Sequence, residues 1–138
     1  MDVTLRTQTE NPRLALRQIT WTGEPAGFSA VLDLWSDDFG ARKQFWFTRW
    51  GVEQFLAALR VMDSSLSGAA VLGDEHEPDH FSLKVTATGR VVVSGELFRF
   101  GACEQRLEFG FETDQTVLAP LIAELDGLLA HVNSRDDR

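Results

Sequence analysis

In WGVEQFLAALRVM, residues 50–62, the apolar side chains keep a helical period. Val52, Phe55, Leu56, Leu59 and Met62 fall at i, i+3, i+4, i+7 and i+10. A second stripe runs through TDQTVLAPLIAELDGLLAHV, residues 113–132, as Val117, Leu118, Leu121, Ile122, Leu125, Leu128, Leu129 and Val132. An amphipathic helix cannot cover its own stripe, so each needs a second layer to pack on. Thr113 or Thr116 offers a cap for the second helix, and Asp114 suits its positive end. Pro120 would break a helix interior, so this helix has to begin close before it. Asn133 to Arg138 is polar and is expected to fray as a disordered tail.

The second layer is written in the rest of the chain. LALRQITWT, GFSAVLDLWS, KQFWFT, HFSLKVTAT, VVVSGELFRF and EQRLEFGFET are rich in β-branched and aromatic residues. In RLEFGFE, Leu107, Phe109 and Phe111 alternate with Arg106, Glu108, Gly110 and Glu112, the period of a strand with one buried face. TGEPAG, SDDFG, GDEHEPDH and TGR punctuate the runs as turns. The expected fold is α+β: an antiparallel β-sheet carrying two amphipathic helices on one face, in a single domain spanning residues 1–138.

The same order occurs twice. TWTGEPAGFSAVLDLW (20–35) is matched by TATGRVVVSGELF (86–98), and FGARKQ (39–44) by FGACEQ (100–105). Each is followed by an aromatic strand and an amphipathic helix. Two βββα repeats, over 12–66 and 79–132, would explain the order. Strand–turn–strand chemistry arrived at twice would explain it as well.

Charge and composition exclude several functions. The formal net charge is -8, so direct nucleic-acid binding is disfavoured, because phosphate contacts need a basic footprint. Cys103 is the only cysteine, which rules out an intrachain disulfide and a four-cysteine zinc site. Its environment lacks the basic groups that favour a thiolate, so it reads as a small hydrophobe in a strand or its turn. No apolar run reaches transmembrane length, and MDVTLRTQTENPRLALRQ has no signal-peptide core, which points to the cytoplasm.

One motif looks catalytic. HEPDH, residues 76–80, has the H-E-x-x-H pattern of zinc proteases. That chemistry requires both histidines on one helical face. Pro78 lies inside the motif and a strand follows directly, so the segment reads as an acidic inter-strand loop. Neither a metal nor any other cofactor is expected there, and no catalytic residue is assigned. A phosphate-binding glycine loop and a nucleophile elbow are both missing from the sequence. Trp35, Trp46 and Trp50 read as packing or rim residues, with a ligand-stacking platform as the alternative.

Two acidic turns remain: Asp37 and Asp38 in one, Asp74, Glu75, Glu77 and Asp79 in the other. Both concentrate charge beyond what a turn needs, and an acidic surface suits a basic protein partner.

One run, from the aromatic strand before WGVEQFLAALRVM through SGAAVL to RLEFGFETDQTVLAPLIAEL, resembles the WapI-type family of bacterial immunity-like proteins. The resemblance spans roughly residues 28–130 and is most specific at GRVVVSG (89–95) and FETDQTVLAPLI (111–122). These segments look like fold determinants, a strand turn and a helix start. The resemblance implies a non-enzymatic binding module that blocks a cognate toxin domain, often a nuclease. The alternatives are a small-ligand or metal-dependent protein using the His76/His80 loop, or a domain of unknown role acting as a homo-oligomer scaffold.

Overall fold

Alternation decides the strands. In Val91–Arg99, Val91, Val93 and Leu97 are buried, whereas Val92, Ser94, Glu96 and Phe98 are only partly covered. The computed structural model describes residues 1–74 and 76–136. The first half contains β1 (Val3–Leu5), β2 (Arg13–Trp21), β3 (Phe28–Ser36) and β4 (Phe39–Phe47), then α1 (Arg49–Ser65). The second half contains β5 (Ala69–Gly73), β6 (His80–Val85), β7 (Val91–Arg99) and β8 (Gln105–Thr113). A 3-10 turn, Gln115–Val117, then leads into α2 (Leu118–Asp136).

The α+β class, the antiparallel pairing and the two amphipathic helices are as the sequence indicates. The single sheet is not. The strands form two four-stranded sheets, β1-β2-β3-β4 and β5-β6-β7-β8, each an antiparallel meander in chain order. Each half therefore holds four strands before its helix, where the repeat pattern suggested three. β1 escaped notice because Val3–Leu5 is too short to display a period.

β1 also repairs an irregularity. The β2–β3 register shifts between Arg17 and Thr20, where Gln18 takes a positive φ of 53°. The N–H of Gln18 donates to Asp2 Oδ1 at 2.9 Å, and that of Ile19 to the Met1 carbonyl at 2.8 Å. The N-terminal segment thus satisfies amides that the bulge takes out of the ladder.

Both helices bury their stripes. Val52, Phe55, Leu56, Leu59 and Met62 are all buried, as are Val117, Leu118, Leu121, Leu125, Leu128 and Val132, with Ile122 and Leu129 partly so. Thr48 caps α1, its hydroxyl accepting the Gly51 N–H at 2.9 Å. At the second helix start the cap is Asp114 rather than Thr113 or Thr116. Its carboxylate accepts the Thr116 N–H at 2.9 Å and also the Thr116 hydroxyl. These bonds from Thr116, hydroxyl first and amide second, together with the Arg90 charge, hold Asp114 below the usual aspartate value, against a small opposing effect of desolvation. α2 continues through Asp136, so the first part of the expected tail is helical, while Asp137 and Arg138 lie outside the described residues.

The buried residues of both halves join one core. Phe45 of β4 meets Phe81 of β6 with centroids 5.8 Å apart, and Phe81 meets Phe55 of α1 edge-on at 5.7 Å. α2 packs on α1 and reaches back to β1. There, Glu124 accepts the Thr4 N–H at 3.0 Å and pairs with Arg6 at 3.3 Å. Among the described residues no helix is long and apolar enough to cross a membrane.

Candidate partner-binding site

A hollow of about 870 Å³ lies between the β2–β3 loop, the start of α1 and the β5–β6 turn. The start of α1 supplies one wall. Trp50 lies two residues from Val52, about 200° of helix rotation, which turns it away from the buried stripe. It is 69% exposed. Val71 of β5, 58% exposed, lines the same hollow. Large apolar side chains left this open beside polar groups are what partner-binding surfaces use as anchors.

The β5–β6 turn supplies the opposite wall. Asp74 organises it: its carboxylate accepts the His76 N–H at 2.9 Å, and its carbonyl accepts the Glu77 N–H at 3.0 Å. His80 Nδ1 lies 3.0 Å from the Pro78 carbonyl. Residues 76–80 therefore form a turn entering a strand, and His76 and His80 do not share a helical face. The chemistry of a helical zinc motif needs that face, and among the described residues no three metal-ligating side chains cluster.

The predicted acidic residues separate into different environments. Asp74 is half-buried and Glu77 exposed, both at the hollow. Glu75 lies outside the described residues. Asp79 corrects the expectation of a solvated loop carboxylate, because it is only 4% exposed. One oxygen pairs with Lys43 of β4, and the other accepts the Phe98 N–H of β7 at 2.8 Å. A carboxylate can be buried when a cation and an amide replace its water, and these two come from opposite halves of the chain.

Asp37 and Asp38 are exposed but far from the hollow. They occupy the β3–β4 turn, whereas the hollow opens at the β2–β3 loop. The nine residues of β3 separate the two ends by roughly 27 Å. Asn11 anchors the turn, accepting the Asp37 N–H and donating to the Asp37 carbonyl, both at 2.8 Å. The two acidic turns thus do not converge.

The structure brings other carboxylates beside the hollow instead. An adjoining depression shares Trp50 and is lined by Glu24 and Glu53, with Arg49 ion-paired to Glu53 at 3.6 Å. Trp50 thus forms a ridge with Asp74 and Glu77 on one side and Glu24 and Glu53 on the other. In the sequence, the one signal for this was a tryptophan off the apolar stripe. Trp35 and Trp46 lie elsewhere, on β3 and β4, each about 40% exposed, so the three tryptophans do not make one platform. Cys103 is exposed in the β7–β8 connection, not packed as a small hydrophobe.

A protein-family model, the immunity protein WapI-like family, matches residues 29–133. The chain belongs to that family. No curated protein and no solved structure gives a match. Membership implies an immunity-type role and a toxin partner, and it supports action by binding rather than by catalysis. The match begins in β3 and ends in α2, so it takes in Trp50 and the β5–β6 turn, while Glu24 precedes it.

Proposed function

We propose that this chain neutralises a cognate toxin domain by non-catalytic binding, and that the Trp50 ridge and the β5–β6 turn form the contact surface for a basic partner. The observation that carries the reading is an exposed tryptophan set among carboxylates. Trp50 would fill a pocket on the toxin, and Asp74, Glu75 and Glu77 would meet its cations. Asp37 and Asp38, at the far end of β3, would add to long-range attraction without sharing that contact. Cytoplasmic action, intercepting a toxin before it reaches its target, belongs to the same proposal.

The test pairs this protein with the toxin domain encoded beside it. An Asp74→Asn, Glu75→Gln, Glu77→Gln variant should associate more slowly and with less salt dependence than the parent. Trp50→Ala should leave the association rate nearly unchanged and speed dissociation by at least about tenfold, as expected for a central anchor. Unchanged rates in both variants would remove this surface from the interface. No binding at micromolar concentration would overturn the immunity reading.

A further inference from the structure

At another part of the molecule the charge reverses. The start of β4, the end of β7 and the start of β8 enclose a groove of about 430 Å³. Its lining includes four cations, Arg42, Lys43, Arg99 and Arg106, and no acidic residue. In a chain of net charge -8 this is a concentrated exception.

Two of the four cations are engaged. Lys43 pairs with Asp79, and Arg106 with Glu96 and Glu108. Arg42 and Arg99 are exposed and form no ion pair with any described residue. The floor between them is apolar, with Leu97 buried and Leu107 half-buried. Phe39 and Phe100, directly before Gly40 and after Arg99 in the chain, are 70% and 65% exposed. Phe98 in the lining stacks on Phe100 at 6.0 Å and lies 5.9 Å from the Arg106 guanidinium. Asp37 and Asp38 stand beyond Phe39, in a turn tied to Asn11.

We infer that this groove is a second interaction surface, which takes an acidic segment of a protein partner, with carboxylates on Arg42 and Arg99 and an apolar side chain on Leu97 and Leu107. Guanidinium groups without partners are matched by carboxylates, which they can hold in bidentate geometry. The aliphatic floor favours a peptide, whose apolar side chains alternate with charged ones. A nucleic acid strand would present a continuous phosphate line to a protein of the same overall sign, with two free cations to hold it. The inference stands apart from the toxin contact proposed above and needs no toxin for its test.

The probe is an end-blocked hexapeptide of alternating glutamate and leucine, titrated at low salt into isotopically labelled protein and followed by amide NMR shifts. Saturable binding is expected, with shifts centred on Gly40–Lys43 and Leu97–Leu107. The Arg42→Glu, Arg99→Glu variant should bind at least about tenfold more weakly, and a glutamine–leucine peptide should show the same loss against the parent. Both substituted residues are exposed, so the variant should fold, and unchanged shifts elsewhere in its spectrum would verify that. Equal binding by the variant, shifts confined to another surface, or no saturation at millimolar peptide would overturn the inference. Tighter groove binding by oligothymidylate than by the peptide would overturn it in favour of a nucleic-acid surface.

Discussion

The first and second halves of this chain run through the same order of elements, yet they use similar parts differently. Each has an aromatic ring packed across its last hairpin onto a glycine. Trp35 lies over Gly40, its directly opposed partner, such that a Cβ there would come 2.7 Å from the ring. Phe109 lies over Gly95, also directly opposed, where a Cβ would come 2.8 Å from the ring and 2.4 Å from the His80 carbonyl oxygen. Trp35 is 39% exposed, whereas Phe109 is 8% exposed and belongs to the core. The outer ring can move aside, whereas a methyl at Gly95 would meet fixed main chain as well as a ring.

The buried carboxylates differ in the same way. Asp33 is paired within its own sheet, its Oδ2 with Arg17 at 3.0 Å and Arg13 at 3.6 Å, both on β2, while its buried Oδ1 has no hydrogen-bond partner among the described residues. Asp79 joins Lys43 of the first half to the Phe98 amide of the second. The first half contains its polar burial, and the second uses its own to hold the halves together.

The largest expected effect tests whether the halves are separable at all. Leu59→Asp on α1 and Leu121→Asp on α2 each place a charge in the shared core, at a cost of several kcal/mol, comparable to the stability of a small domain. Each variant should lose helical circular dichroism and unfold both sheets together. Hydrogen exchange is the decisive readout. If Leu121→Asp leaves β2–β4 protected, the halves fold independently and the single core is wrong.

Next come the carboxylates, compared by urea denaturation. Asp79→Ala should cost about 2–4 kcal/mol, less than a fully buried pair because Lys43 can turn toward water, but including the orphaned Phe98 amide. Asp33→Ala should cost about 1–2 kcal/mol, since Arg13 and Arg17 are each about one third exposed and can rehydrate. The reverse order would mean that the joint between the halves contributes little.

A smaller effect separates the glycines. Gly95→Ala should destabilise by about 1–3 kcal/mol, because the new methyl meets the fixed His80 carbonyl. Gly40→Ala should cost under about 1 kcal/mol, as the exposed Trp35 ring gives way. Equal losses would show that both rings are held alike.

The smallest effect concerns the caps. Thr48 on α1 does not titrate, whereas Asp114 does, with its pKa held low by Thr116. A lowered folded-state pKa means that the native state binds fewer protons than the unfolded one. Its contribution is therefore present at neutral pH and is lost as pH falls below about 4, through the lowered pKa. Asp114→Asn keeps a capping oxygen but removes the charge. The parent should be slightly more stable than this variant at pH 7, and the gap should close in acid. A gap that is independent of pH would make the hydrogen bond, not the charge, the source of the difference.

Much of the candidate site escaped the sequence for a specific reason. Asp74 and Glu77 were legible because a dense acidic turn is a local feature. Glu24 and Glu53 were not, since they are remote in sequence and gather only where the β2–β3 loop meets the start of α1. Asp79 looked like its acidic neighbours, and nothing nearby announced that Lys43, 36 residues away, would come to neutralise it. The choice of Asp114 over Thr113 and Thr116 turned on one or two residues of helix register, finer than an apolar stripe resolves.

The sequence by itself determined the two helices and the longer strands, and the faces they bury; the three-residue β1 is the exception. Periods of two and 3.6 are properties of neighbouring residues, and every residue of the α1 stripe is buried as its spacing required. The resemblance to immunity proteins was also carried by contiguous segments, and the family match over residues 29–133 agrees with it. Only the tertiary structure decided that the strands divide into two sheets, that Trp50 stands among carboxylates while Arg42 and Arg99 face an open groove, and that Asp79 is buried. Each of these depends on which distant groups come within a few ångströms, and electrostatic and hydrogen-bond energies are set by that distance, not by position along the chain.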